Sequence, residues 1–187
     1  MRSFLRFLLP AALALSGACA QQQTLTPEWD IRPVLKEISA HASRLVPMLD
    51  KVDPAGWVNK GAPDTYVAQW KSARAQAEAL SAEAVELSHD PEKLSAALKT
   101  FFRMQSLEFM LHSLTDAVRR YQSPAVAETL AGAAAENGAN RERFQRYIVE
   151  LAAQREQEYQ IMDHEAQRCR SIISRETPVN KTVRKQP

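Results

Sequence analysis

The sequence predicts an all-α fold: an up-and-down bundle of four principal helices plus one short helix, closing with a long C-terminal helix. Three observations predict it. Apolar residues recur every three or four positions over most of the chain, and no stretch sustains the period-two alternation of β-branched residues that a half-buried strand needs. Four prolines also fall where proline starts a helix: Asp53-Pro54, Ala62-Pro63, Asp90-Pro91 and Ser123-Pro124. Three of these pairs set an N-cap residue directly before a proline at the first helical position.

Residues 1–20 read as a secretory signal peptide. Arg2 and Arg6 form a positive start, Phe7 to Gly17 is an uncharged and mostly apolar run of 11 residues, and Ala18-Cys19-Ala20 supplies the small-x-small cleavage pattern. The run is shorter than the roughly 20 residues that cross a hydrocarbon core, and Pro10 interrupts it. Cleavage after Ala20 is the preferred expectation and leaves a chain beginning Gln21-Gln22-Gln23. The alternative is acylation at Cys19, because Leu15-Ser16-Gly17-Ala18-Cys19 resembles a bacterial lipobox with Ser16 where Leu is usual. A lipidated Cys19 would tether the domain to a membrane, whereas cleavage after Ala20 would free it in the periplasm or outside the cell.

After a flexible segment, 21–29, a single helical domain is expected over 30–176. The first helix begins after Asp30 and carries Val34, Leu35, Ile38, Ala42, Leu45, Leu49 and Val52 on one face. Pro47 lies inside it and is expected to kink or break it near Leu45 and Val46. Asp53 to Ala62 reads as a capped single turn with a glycine-containing link, Trp57 folding back as a lid on one end of the bundle. The second helix runs from about Pro63 to Ser88 with a stripe of Trp70, Ala73, Ala77, Leu80, Ala84 and Leu87, rich in alanines that permit close approach.

The third helix, Pro91 to about Tyr121, is the most apolar and the expected centre, with Leu94, Leu98, Phe101, Met104, Leu107, Leu111, Leu114 and Val118 on one face. Phe102, Phe109 and Met110 add a second apolar face. A short alanine-rich helix then follows Pro124 and is expected to stop at Asn137-Gly138, the glycine adopting a left-handed C-cap. The last helix starts near Asn140 and continues to about Ser174 on a stripe of Phe144, Ile148, Leu151, Arg155, Tyr159, Met162, Ala166, Cys169 and Ile173. At about 35 residues it would be about 50 Å long, more than a domain of this size needs. It should therefore project past the bundle or pair with another chain, and a homodimer through residues 141–175 is expected. Residues 177–187 read as a disordered basic tail.

Removing residues 1–20 leaves 22 basic against 22 acidic side chains. A formally neutral chain has no global field to hold a polyanion, which argues against a nucleic-acid partner. A membrane partner is expected only if Cys19 is lipidated. The charge is nevertheless segregated: Arg168, Arg170, Arg175, Lys181, Arg184 and Lys185 face a single acid, Glu176, over residues 167–187. These six are candidates for docking to an acidic partner, and the plainer reading is a solvated helix end that complements the helix dipole.

Motifs for catalysis are missing. The sequence has no nucleophile elbow, phosphate-binding loop, His-Glu-x-x-His or dinucleotide fingerprint, and the mature chain has four glycines with which to build such loops. Cys169 falls in the apolar stripe of the last helix and is read as a small buried hydrophobe; if exposed, it could form an intermolecular disulfide. Glu86-x-x-His89 is one half of a di-iron pattern whose second half is absent, and Glu37/His41 and Glu108/His112 are helix-surface pairs by spacing. Haem would need two of His41, His112, His164, Met48, Met104, Met110 and Met162 to face one another. No cofactor, metal or catalytic residue is therefore assigned. Arg155 interrupts the last stripe and Glu108 the middle of the third helix, so the two are a candidate buried ion pair, with a surface position for either as the alternative. These readings favour a non-enzymatic interaction or structural component that is exported to the bacterial periplasm or envelope. A haem- or metal-binding four-helix bundle is the alternative, followed by a small enzyme of unrecognised type.

Overall fold

A computed structural model describes residues 30–176. Among them lie six α-helices and no strand: α1 (Arg32–Leu49), the single turn α2 (Pro54–Val58), α3 (Thr65–His89), α4 (Leu94–Tyr121), α5 (Pro124–Glu136) and α6 (Gly138–Glu176). The fold is all-α. Cross-helix contacts give the directions. Arg32 Nε reaches the Ser88 carbonyl, so the start of α1 lies at the end of α3; Arg103 of α4 meets Glu83 of α3, and Ser113 meets Gln69, so α3 and α4 are antiparallel. Along α4, Glu108 meets Arg141, Phe101 meets Phe144, and the Pro91 carbonyl just before the helix takes the Tyr147 hydroxyl, so α6 runs opposite to α4.

Two helices share the fourth position of the bundle. α5 starts beside the end of α4, where Arg119 pairs with Glu128, and reaches the middle of α1, where Arg44 pairs with Glu136. α6 takes up there and carries on. The joint does not use the expected left-handed glycine: Asn137 stays in the right-handed region (φ −86°, ψ −3°), and the Arg141 N–H bonds its carbonyl at 2.9 Å. Gly138 is simply the first residue of α6. The only described glycine at positive φ is Gly61 (φ 88°). It closes α2 in a Schellman motif, with Gly61 N–H on the Val58 carbonyl and Ala62 N–H on the Trp57 carbonyl.

The core follows the sequence stripes. Leu35, Ile38, Ala42, Leu45 and Leu49 of α1 face Ala73, Ala77, Leu80 and Ala84 of α3, and α4 contributes Met104, Leu107, Leu111 and Leu114. Trp57 is buried over the far end, edge-on to Tyr66 and stacked at 6.4 Å on Tyr121, so it is the lid that its position suggested. Asp53 accepts the Gly56 N–H at 2.9 Å and caps that turn.

Three boundaries differ from the expectation. Pro47 does not break α1, which continues to Leu49; in the last turn a proline forfeits one bond, to the Ser43 carbonyl, and burial of Leu45 and Leu49 outweighs it. α4 starts at Leu94 rather than Pro91, because the Pro91 and Glu92 carbonyls are taken by Tyr147 (2.9 Å) and Arg155 (3.3 Å). α3 likewise starts at Thr65, after a turn in which Pro63 and Asp64 supply the first carbonyls to Tyr66 and Val67. Proline at the first helical position therefore holds for α2 and α5 only.

Candidate functional site

The last third of the chain divides α6 into two parts. Up to Arg155 its inward residues pack on the bundle: Phe144, Tyr147, Ile148, Leu151 and Gln154 are buried. Beyond Glu158 every residue through Arg175 is exposed. The stripe does not end where the bundle ends. Tyr159, Met162 and Ile173 are 69%, 63% and 64% exposed, and Cys169, expected to be buried, is exposed with a free thiol. The reason is geometric, since helical spacing sets which residues share a face but not where the neighbouring helices stop.

A cluster of polar contacts fixes α6 at its exit from the bundle. Arg155 bonds Glu158 at 2.7 Å and Glu92 at 3.0 Å, and Gln154 bonds Glu158 at 2.9 Å. The bond to Glu158 raises the Arg155 pKa further above its ordinary value, against a smaller opposing effect of burial. Glu158 in turn is held below the usual carboxylate range by its bonds from Gln154 and Arg155. Burial, with Glu92 nearby, pushes the Tyr147 hydroxyl up, and that hydroxyl donates to the Pro91 carbonyl.

The expected Glu108–Arg155 pair does not form. Glu108 binds Arg141, one helical turn after the start of α6, through both carboxylate oxygens at 2.7 and 2.9 Å. The antiparallel run of α4 and α6 places Arg155 at the opposite end of their contact, beside Glu92. Neither arginine is deeply buried, so both lie at the edge of the core with the stem packed and the head in water. Of the six basic candidates, Arg168, Arg170 and Arg175 lie on the exposed end of α6, and Arg168 is 3.9 Å from Glu165. Lys181, Arg184 and Lys185 lie outside the described residues, as do Cys19 and Ala20.

The histidines are not brought together. His89, His112 and His164 are exposed on α3, α4 and α6, and only His41 is buried. Among the described residues, no group of three or more His, Cys, Asp or Glu side chains is placed to hold a metal ion. His41 does not form the expected surface pair with Glu37. It points inward, and its Nε2–H donates to the Ala133 carbonyl at 2.7 Å, which fixes that nitrogen as the donor. Its Nδ1 and the Asn137 Oδ1 are buried without a protein partner, and both residues line a cavity of about 20 Å³ beside Met104 and the Glu108–Arg141 pair. That volume admits a single water. The sequence held the signal, since Val34, Ile38, His41 and Leu45 follow the 4, 3, 4 spacing of an inward stripe. Glu86-x-x-His89 lines an open groove between the end of α3 and the start of α4, where Glu83 is engaged by Lys99 and Arg103.

Phe102 and Phe109 form a second exposed apolar feature, seven residues apart on the outer face of α4. No described helix is long and apolar enough to cross a membrane. No family model, curated protein or solved structure matches the chain.

Proposed function

We propose that the protein is an exported, non-enzymatic interaction component of the bacterial periplasm or envelope, and that the projecting end of α6 is its contact surface. One observation carries this reading: the helix continues for about two and a half heptads beyond its own bundle with its apolar stripe intact and exposed. Exposing Tyr, Met and Ile side chains on a rigid helix forfeits burial worth about 25 cal/mol per Å² of apolar surface, so a sequence that keeps the stripe implies something that covers it. The N-terminal signal pattern and the neutral mature chain support export and a protein partner rather than a nucleic acid.

The test compares the mature chain, residues 21–187, with the same chain ended after Gln160, which keeps Glu158 and its bonds to Gln154 and Arg155. At a concentration low enough that the full chain is monomeric, the shortened chain is expected to melt within about 3 °C of it, a difference of less than about 1 kcal/mol for a domain of this size. A much larger loss would mean that the helix end serves the fold and would overturn the reading. Mass measurement of the exported protein tests the other half: an N-terminus at Gln21 supports release, and an acylated Cys19 supports an anchored form.

A further inference from the structure

We infer that the partner covering the projecting end of α6 is a second copy of this chain, in an antiparallel two-helix coiled coil that sets Met162 against the partner's Ile173 and Ala166 against the partner's Cys169. The inference rests on the interaction reading above and names its partner. Tyr159, Met162, Ala166, Cys169 and Ile173 are spaced 3, 4, 3 and 4 residues apart, the alternation of a two-stranded coiled-coil seam. The helix that carries them is already held by the bundle, so association need not nucleate it.

The bundle itself decides the direction. Tyr159 and Met162 each lie 11 residues beyond a packed residue, Ile148 and Leu151, and 11 residues turn an α-helix to within about 20° of its starting face. The exposed seam therefore looks out on the same side as the seam that packs on α1 and α4. A parallel partner in register would have to place its own residues 144–155 in the volume that those helices fill. An antiparallel partner meets no such obstacle, because its bundle stands beyond the far end of α6.

The flanking charges then select the register. With Met162 opposite the second copy's Ile173, Asp163 lies beside Arg170 of the other chain, twice by symmetry, and Glu165 lies beside Ile172. Sliding the pair by one heptad in one direction sets Asp163 against Asp163 and Glu165 against Glu165. Sliding it in the other sets Arg170 against Arg170. The parallel register sets Glu158 against Asp163. Of these arrangements only the proposed one opposes unlike charges without opposing like ones.

Cys169 reports on the geometry without further labels. In the antiparallel register the two Cys169 residues are offset along the axis by three residues, about 4.5 Å; with the axes about 10 Å apart and each seam Cα about 2 Å nearer the partner, facing Cα atoms stand about 6 Å apart, so the two Cys169 Cα atoms are about 7.5 Å apart, beyond the roughly 7 Å that a disulfide spans. In a parallel dimer they would face each other. The experiment takes residues 21–187 at 5 to 200 μM, measures the mass by sedimentation equilibrium, and oxidises the dimer before a non-reducing gel. The expected result is a concentration-dependent dimer that stays uncrosslinked in the native sequence and becomes a disulfide-linked dimer in Ala166→Cys. Ile173→Glu is expected to weaken association at least about tenfold with an unchanged melting temperature at low concentration. Efficient crosslinking of the native chain would overturn the antiparallel arrangement and leave the interaction reading standing. A monomer throughout the range would overturn the second copy as partner. The interaction reading itself fails on a different result, loss of stability of the monomer, at low concentration, on ending the chain after Gln160.

Discussion

The side-chain amide of Gln122 joins three segments at the lid end of the bundle. Its oxygen accepts from the Asp53 N–H at 3.0 Å and from the Trp57 indole at 3.1 Å, and its nitrogen donates to the Lys51 carbonyl at 2.8 Å. Truncation would leave the buried indole N–H without its acceptor, so Gln122→Ala is expected to lower stability by about 2–3 kcal/mol, read from the urea midpoint. Glu83 governs the response to acid. Burial pushes its carboxyl up, but the bonds from Arg103 and Lys99 together outweigh burial and hold it below the usual carboxylate range. A carboxyl depressed in the fold contributes stability that is full above about pH 4.5, its ordinary value, and is lost as pH falls through the depressed one. Glu83→Gln is therefore expected to cost about 1–2 kcal/mol at pH 7 and less at pH 3, flattening the acid limb of a stability profile between those limits. A parallel offset at both pH values would refute this. Neither role is visible in sequence, since Gln122 and Glu83 look like ordinary surface residues until the chain brings their partners from 16 to 71 positions away.

At the scale of elements, the apolar stripes of α1, α3 and α4 could be read directly, because a 3.6-residue period assigns each residue to a face before any neighbour is known. α3 shows the consequence most plainly. Its inward face is Ala73, Ala77, Leu80, Ala84 and Leu87, and the small side chains let α1 approach closely enough for Ser39 and Ser43 to bond Ser81 at 3.0 and 2.8 Å. Ala77→Leu should push the two helices apart and cost about 1–3 kcal/mol, measured by chemical denaturation. The element ends were less legible. Pro91 and Pro63 look like helix starts, yet the Pro91 carbonyl is taken by the Tyr147 hydroxyl, and the Pro63 carbonyl closes a tight turn on the Tyr66 N–H ahead of α3. Asn137-Gly138 does end α5, yet the chain stays right-handed there instead of turning through a left-handed glycine, so that α5 and α6 together fill one position of the bundle. Such outcomes depend on what lies across the gap, and local sequence carries no record of that.

Across the whole molecule, the bundle is closed at one end by Trp57 and left open at the other, where α6 passes the starts of α1 and α4 and continues into solvent. The two ends suit different tasks. The closed end ties its connections with an indole, an amide and a glycine at positive φ, whereas the open end presents a helix whose stripe has outrun its core. Export and association are the properties proposed for it, and the N-terminal mass measurement and the sedimentation and crosslinking experiments above test them separately. The sequence by itself determined the all-α class, the helices and their inward faces, the lid, and an overlong last helix, because periodicity, capping residues and length are local properties of a chain. The tertiary structure alone decided that Glu108 meets Arg141 rather than Arg155, that His41 turns inward, and that Cys169 stands in solvent. Each of these follows from where one helix begins and ends against another, and that is fixed by the packing of the assembled bundle.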